Sequence, residues 1–188
     1  MDLGTLQGCV AERWSPGLGD PGLWAWLTVA AYVLCLALSL RVWRRAKGQP
    51  GRAFWMVLAV ILAILAVNKQ LDLQSALTAA GKCLARAQGW YGQRRLLQVA
   101  FVAAVAGIAL IAVAVMMLSL RRRNLVAALG VTILLAFVVV RAASFHHIDH
   151  LIGQTGLGLP NNVLFENAGL VLIAANALWL SRRLRPAA

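Results

Sequence analysis

Long apolar runs alternate with short polar breaks along this chain, and each run can be read by its length. Apolar residues fill 23–40, entered through Asp20-Pro21-Gly22 with Trp24 and Trp26 near the start, and the basic break Arg41 to Arg52 closes the run. A second run opens at Phe54-Trp55 but is purely apolar only to Val67, short of the roughly 20 residues that a bilayer requires. It therefore has to continue through Asn68-Lys69-Gln70-Leu71-Asp72-Leu73-Gln74, which makes the span 54–74. Further runs predict spans over 96–120, 125–148 and 161–180, with Pro160 suited to the start of the last helix. The pattern predicts an all-α polytopic transmembrane helical bundle, about five spans in a single membrane domain over 1–188.

Two finer features follow from the same spacing. Leu73, Leu77, Ala80 and Leu84 share one helical face while Lys82 and Arg86 take another, so 75–90 is expected to be an amphipathic helix lying in the interface. On the third span, Ala100 with Ala104 and Ala103 with Gly107 stand four residues apart, the spacing that lets a neighbouring helix come close.

Composition narrows the class. A chain that is 61% hydrophobic, with mean hydropathy +0.76 and six carboxylates in 188 residues, is not a soluble domain. The net charge of +12 raises nucleic acid as a partner. Most of that charge, however, lies in clusters beside apolar runs: Arg41, Arg44, Arg45, Lys47 and Arg52; Arg121, Arg122 and Arg123; Arg182, Arg183 and Arg185. This is the positive-inside pattern and a contact surface for anionic membrane lipids. No aromatic stacking platform accompanies it, so no nucleic acid is expected to bind. The arginine clusters put the first and third loops and the C-terminus in the cytoplasm and the N-terminus outside. The second loop is basic as well, but mixes its charges with a carboxylate. Asp2, Glu12 and Asp20 make the first 21 residues unlike a signal peptide. Cys9 and Cys83 fall on one side, where a disulfide would need an oxidising compartment. The spacing shows no proximity, and two free thiols are the expectation.

With this orientation the unusual polar residues of the spans converge on the outer leaflet. Measured along the fourth span, Arg141 lies about 24 Å in and His146 about 32 Å, and Glu166 lies about 9 Å into the fifth. Arg141 and Glu166 are thus at similar depth, and a buried salt bridge between them is the economical reading. Asp72 would pair in the same way with Lys69 or Arg94.

A sharper reading rests on the histidines. In a continued helix His146 and His150 stand at i and i+4, the spacing by which two imidazoles grip one metal, and His147 meets His150 at i+3. His146, His147, Asp149 and His150 are therefore candidate ligands of a divalent metal such as zinc, with Glu166 completing the set. Asp72 is then the candidate base on a metal-bound water. Arg94, Arg95 and Arg141, with Asn68 and Lys69, are candidate binders of an anionic or lipid headgroup. A single haem could not be gripped from opposite sides, because all three histidines lie within five residues.

The stretches Asn68-Lys69-Gln70-Leu71-Asp72-Leu73-Gln74, Gly89-Trp90-Tyr91-Gly92-Gln93-Arg94-Arg95 and Arg141-Ala-Ala-Ser-Phe-His-His-Ile-Asp149 resemble a family of small bacterial polytopic membrane proteins. That resemblance covers most of the chain and implies a bacterial cytoplasmic-membrane location, without an activity. More loosely, the chain is similar to the ceramidase-like membrane hydrolases, in which histidines and an aspartate hold zinc near one membrane face. It departs from them in having about five spans rather than seven and no matching terminal pair of histidines.

Two functions are therefore expected from different classes. One is metal-dependent hydrolysis or transfer on a membrane-embedded substrate. The other is a non-catalytic membrane subunit or assembly factor, its polar cluster a structural network and its outer surface docked to a membrane-protein partner or a second copy. A transporter fits less well, because Asn176 and Thr132 are the main polar residues expected near mid-membrane.

Overall fold

No water reaches unpaired amides in a bilayer core, so segments that cross it close their hydrogen bonds along themselves. The computed structural model describes residues 3–14, 22–71, 73–89, 94–143, 155–156 and 159–184, and it follows that rule. Its helices are α1 Leu3–Ala11, α2 Leu23–Arg45, α3 Arg52–Leu71, α4 Leu73–Ala87, α5 Arg94–Leu118, α6 Leu125–Ala143 and α7 Asn161–Arg183. A short 3-10 turn, Arg122–Asn124, leads into α6. In the glycine-containing stretch before α7, Thr155–Gly156 pairs antiparallel with Leu159–Pro160. Five helices, α2, α3, α5, α6 and α7, are long and apolar enough to cross a membrane. The protein is an all-α multi-pass bundle.

The second span differs from its expected bounds at both ends. It begins at Arg52 and stops at Leu71, so the polar continuation to Gln74 is divided between α3 and α4. The length given up at one end is recovered at the other. Arg52 is anchored there, its Nε donating to the Trp43 carbonyl at 3.1 Å and its guanidinium 4.5 Å above the Trp43 ring. The described part of the fourth span ends at Ala143, and the rest of 125–148 lies outside the described residues.

The five long helices form a ring in which α2 packs on α3 and α7, α7 on α6, α6 on α5, and α5 back on α3. Its core is one cluster that includes Tyr32, Phe54, Trp55, Leu58, Leu62, Leu134, Leu170 and Ile173. Helix α5 is the loosest member: 6% of its apolar window is buried, against 28–44% in the other four. The small residues of α5 are accordingly not a packing seam. A Cβ placed on Gly107 would meet nothing within 4 Å.

The close approach occurs between α6 and α7 instead. A Cβ built on Gly130 would stand 2.6 Å from the Gly169 carbonyl oxygen, and one on Gly169 would stand 2.8 Å from the Gly130 carbonyl oxygen. The two backbones pass each other at a point where only hydrogen fits.

A second set of polar contacts ties the arginine-rich end. Asn124, fully buried, accepts from Trp55 Nε1 at 3.3 Å and donates to the Gly51 carbonyl. Gly51 has φ +83°, and a Cβ there would lie 3.0 Å from Arg121 Cγ, so the turn needs glycine on both counts. Arg123 binds the Gln49 side chain and the Pro50 carbonyl, fastening the first loop to the third. Asn176 belongs to this end as well: its Oδ1 accepts from the Ala127 amide at 3.2 Å, and its Nδ2 donates to the Arg123 carbonyl at 3.0 Å. It satisfies an otherwise orphan amide in the first turn of α6, and so is not the mid-membrane polar group that its place in the sequence suggests. Thr132 bonds back to the Ala128 carbonyl of its own helix at 2.9 Å.

Candidate functional site: a buried ion pair at the polar end

Helix α2 carries Thr28 and Tyr32 one turn apart on its inward face, and both are buried. Helix α7 lies parallel beside it and presents Glu166 and Asn167 at the same height, while α3 arrives from the opposite direction and ends in Asn68-Lys69-Gln70-Leu71. The three helices meet in a polar cluster. Lys69 Nζ lies 2.7 Å from Glu166 Oε2, with the two side chains only 10% and 7% exposed. The Tyr32 hydroxyl donates to the other carboxylate oxygen, Oε1, at 3.3 Å. One turn nearer the end, Asn167 Nδ2 donates to Thr28 Oγ1 at 3.2 Å and to the Val163 carbonyl at 2.8 Å. One turn deeper, the Cys35 thiol donates to the Leu170 carbonyl at 3.3 Å.

A carboxylate and an ammonium withdrawn from water must pair with good geometry, or the desolvation penalty exceeds their attraction. Here both carboxylate oxygens have a donor. Glu166 is bound to Lys69, a pairing that the sequence did not single out; the expected partners, the Arg141 side chain for Glu166 and Asp72 for Lys69, lie outside the described residues. Depth along each helix gives the height of a charge but not its position around the ring. The long lysine stem lets α3 reach a carboxylate on α7 over the Tyr32 hydroxyl of α2.

A disulfide-linked helix pair is tied to the end of α3. Cys9 of α1 and Cys83 of α4 form a disulfide, with Cα atoms 6.0 Å apart across a sequence separation of 74. This corrects the expectation of two free thiols. Helices α1 and α4 pack together, with Cys83 and, one turn earlier, Ala79 buried on α4, whereas Leu84, from the expected apolar stripe, is 41% exposed. Just beyond α1, Trp14 Nε1 donates to the carbonyl of Leu71, the last residue of α3, at 3.3 Å. The stapled pair α1–α4 is thereby joined to the helix that carries Lys69. Thiol labelling of denatured, unreduced protein is expected to modify Cys35 alone, and reduction is expected to expose all three cysteines. Cys9→Ser should then lower stability by about 2–5 kcal/mol, and labelling at more than one cysteine before reduction would contradict the staple.

Of the residues expected at the site, Lys69 and Glu166 are brought together, and Asn68 lies half-buried beside Lys69 on α3. Asp72, His146, His147, Asp149 and His150 lie outside the described residues, as do the side chains of Arg94, Arg95 and Arg141. Among the described residues no group of three or more His, Cys, Asp or Glu side chains converges as a metal site. Three members of the cluster escaped the sequence reading. Thr28, Tyr32 and Asn167 are scattered polar residues inside apolar spans, and the i, i+4 spacing of Thr28 and Tyr32 was the available signal. Gln70 Nε2 is buried near the same end with no partner among the described residues.

Comparison with known proteins adds no family: no family model matches the chain, and no curated protein or solved structure matches it significantly.

Proposed function

We propose that this chain is a non-catalytic subunit or assembly factor of the bacterial cytoplasmic membrane, with its N-terminus outside and its C-terminus in the cytoplasm. In this reading the polar end is a rigid platform for a membrane-protein partner or a second copy. The observation that carries it is the Lys69–Glu166–Tyr32 contact. The carboxylate best placed to complete a metal site from α7 has both oxygens engaged, one of them by an ammonium at 2.7 Å. A divalent cation on the same oxygens would face that positive charge at close range. The contact joins three helices, as a structural strut does.

The orientation draws on two independent features. The arginine clusters at one end follow the positive-inside rule. At the other end the Cys9–Cys83 disulfide calls for an oxidising compartment, which lies outside the cytoplasm. The location in a bacterial membrane comes from the family resemblance of the three sequence stretches.

The second reading, a zinc-dependent hydrolase or transferase on a membrane-embedded substrate, is favoured by the i, i+4 spacing of His146 and His150 at the end of the fourth span. Asp72 would be its base, and Arg94, Arg95 and Arg141 would hold the headgroup. Metal analysis of purified, folded protein separates the two. The platform reading expects less than one-tenth of an equivalent of zinc, unchanged in His146→Ala and His150→Ala. One equivalent of zinc, lost in both variants, would replace it with the hydrolase reading.

A further inference from the structure

The two described carboxylates, Glu12 and Glu166, both lie toward the polar end: Glu166 pairs with Lys69, and Glu12 stands two residues from Trp14, which bonds the Leu71 carbonyl. Among the described residues the opposite end holds ten basic ones: Arg41, Arg44, Arg45, Lys47, Arg52, Arg121, Arg122, Arg123, Arg182 and Arg183. Among the described residues no aspartate or glutamate lies at that end, so its positive charge has no described side-chain counter-anion. Several of these cations are used internally. Arg45 donates to the Ser181 carbonyl, Arg52 to the Trp43 carbonyl and Arg123 to the Pro50 carbonyl, while Arg183 lies 4.4 Å above the Trp179 ring. These contacts place guanidinium groups without neutralising them.

One place at this end has the shape of a binding site. A groove of about 350 Å³ on α2 is lined by Ala37, Leu40, Arg41, Arg44 and Arg45. That size lies within the range of small-molecule sites. At 1.5 Å per residue from Leu23, Ala37 stands about 21 Å along the helix, Arg41 about 27 Å and Arg44 about 32 Å. The groove therefore has an apolar part at the depth of acyl chains and a cationic part at the depth of headgroups. Arg41 and Arg44 are exposed, and Arg45 is half-buried and tethered to α7 through Ser181. The groove runs along α2 on the side away from its buried stripe of Cys35, Leu38 and Val42, so it opens toward lipid.

We propose that this groove binds the phosphodiester headgroup of an anionic phospholipid, in the leaflet that meets the arginine-rich end. Arg41 and Arg44 hold the phosphate through guanidinium hydrogen bonds, whose planar fork suits two phosphate oxygens at once. Arg45, fixed by its bond to Ser181, forms the edge of the cationic part. Ala37 and Leu40 lie against the first methylenes of an acyl chain. An anion of this kind supplies a countercharge that the described residues of this end lack, and the apolar floor selects a lipid over a free phosphate. The site stands apart from the polar end and does not depend on the function proposed for it.

The test uses the full chain, purified in a zwitterionic detergent and delipidated. Native mass spectrometry and thermal unfolding are followed against phosphatidylglycerol, phosphatidylcholine and inorganic phosphate. Wild type is expected to retain one phosphatidylglycerol, to gain several degrees of thermal stability from it, and to show neither effect with phosphatidylcholine or with millimolar phosphate. The double variant Arg41→Gln/Arg44→Gln should weaken phosphatidylglycerol binding on the order of tenfold or more. It should unfold at the wild-type temperature in the absence of lipid, because both side chains are exposed. Arg121→Gln/Arg122→Gln removes the same charge from exposed positions at the same end but outside the groove, and should change binding less than threefold. Equal weakening in the two double variants would reduce the effect to general surface charge and overturn the proposal. So would equal retention of phosphatidylcholine, or displacement of the lipid by millimolar phosphate.

Discussion

Gly130→Ala is expected to destabilise the bundle by about 1–3 kcal/mol, the usual cost of forcing extra volume into a packed contact. Helix propensity alone predicts the opposite, since alanine is favoured over glycine by roughly 1 kcal/mol inside a helix. The steric term wins because the obstruction is backbone: the new Cβ would stand 2.6 Å from the Gly169 carbonyl oxygen, and a carbonyl on a packed helix cannot turn aside as a side chain does. The two helices would have to separate along the most extensive interface of the ring, withdrawing Leu134, Leu170 and Ile173 from close contact. Gly130→Leu should fail to give a stable monodisperse protein. Gly107→Ala is the matched control, because a Cβ there meets nothing within 4 Å, and it should be neutral or stabilising. Thermal unfolding in detergent reads the contrast in sign. If both alanine variants shift the midpoint in the same direction, the α6–α7 crossing is not as close as described. Gly169→Ala should behave as Gly130→Ala does, and the two together should cost less than their sum, since one separation of the helices relieves both clashes.

That crossing shows what a linear reading can and cannot supply. The five spans were legible because a bilayer imposes both length and composition, and those constraints act on each segment independently. The glycine contact was not, because Gly130 and Gly169 each stand alone in their helix without a small residue four positions away to make a motif. Small residues at that spacing occur on α5, and there the structure leaves them unpacked. The disulfide was hidden for a related reason: a sequence separation of 74 says nothing about distance until α1 and α4 are seen to lie together. Asn176 was misplaced because its position in an apolar run suggested mid-membrane, whereas it reaches the first turn of α6 near the membrane boundary. For the site, the sequence placed Lys69 and Glu166 at one end and at compatible height. It could not say which charges face each other around the ring, and so it did not pair Glu166 with Lys69. The polar residues Thr28, Tyr32 and Asn167 carry no charge to draw attention in an apolar span, yet they form the remainder of the contact between α2 and α7.

Removing either charge of the Lys69–Glu166 pair should cost about 3–5 kcal/mol, because the partner is left buried without its described counter-charge. For a chain of this size that corresponds to a fall in unfolding midpoint of roughly 10 °C. Lys69→Met keeps the length and apolar stem of the lysine and removes only the ammonium, leaving Glu166 with the Tyr32 hydroxyl as its described donor. Glu166→Gln keeps the shape and an acceptor for Tyr32, and leaves the Lys69 charge without its anion. The two single variants should therefore lose stability by similar amounts. The double variant Lys69→Met/Glu166→Leu should recover most of it, because a buried pair replaced by apolar side chains of similar volume is often neutral or stabilising. What remains is the loss of the Tyr32–Glu166 hydrogen bond, a cost of about 1–3 kcal/mol. Charge reversal, Lys69→Glu with Glu166→Lys, tests geometry more strictly. It restores the attraction but moves the long stem to α7, so it should recover part of the loss and remain below the apolar double variant. A double variant no more stable than the worse single one would show that the two residues act separately, and the strut joining α2, α3 and α7 would have to be abandoned. Full recovery of stability in Lys69→Met/Glu166→Leu with unchanged assembly into larger complexes would show that the pair contributes folding energy and not partner recognition, moving the docking surface elsewhere.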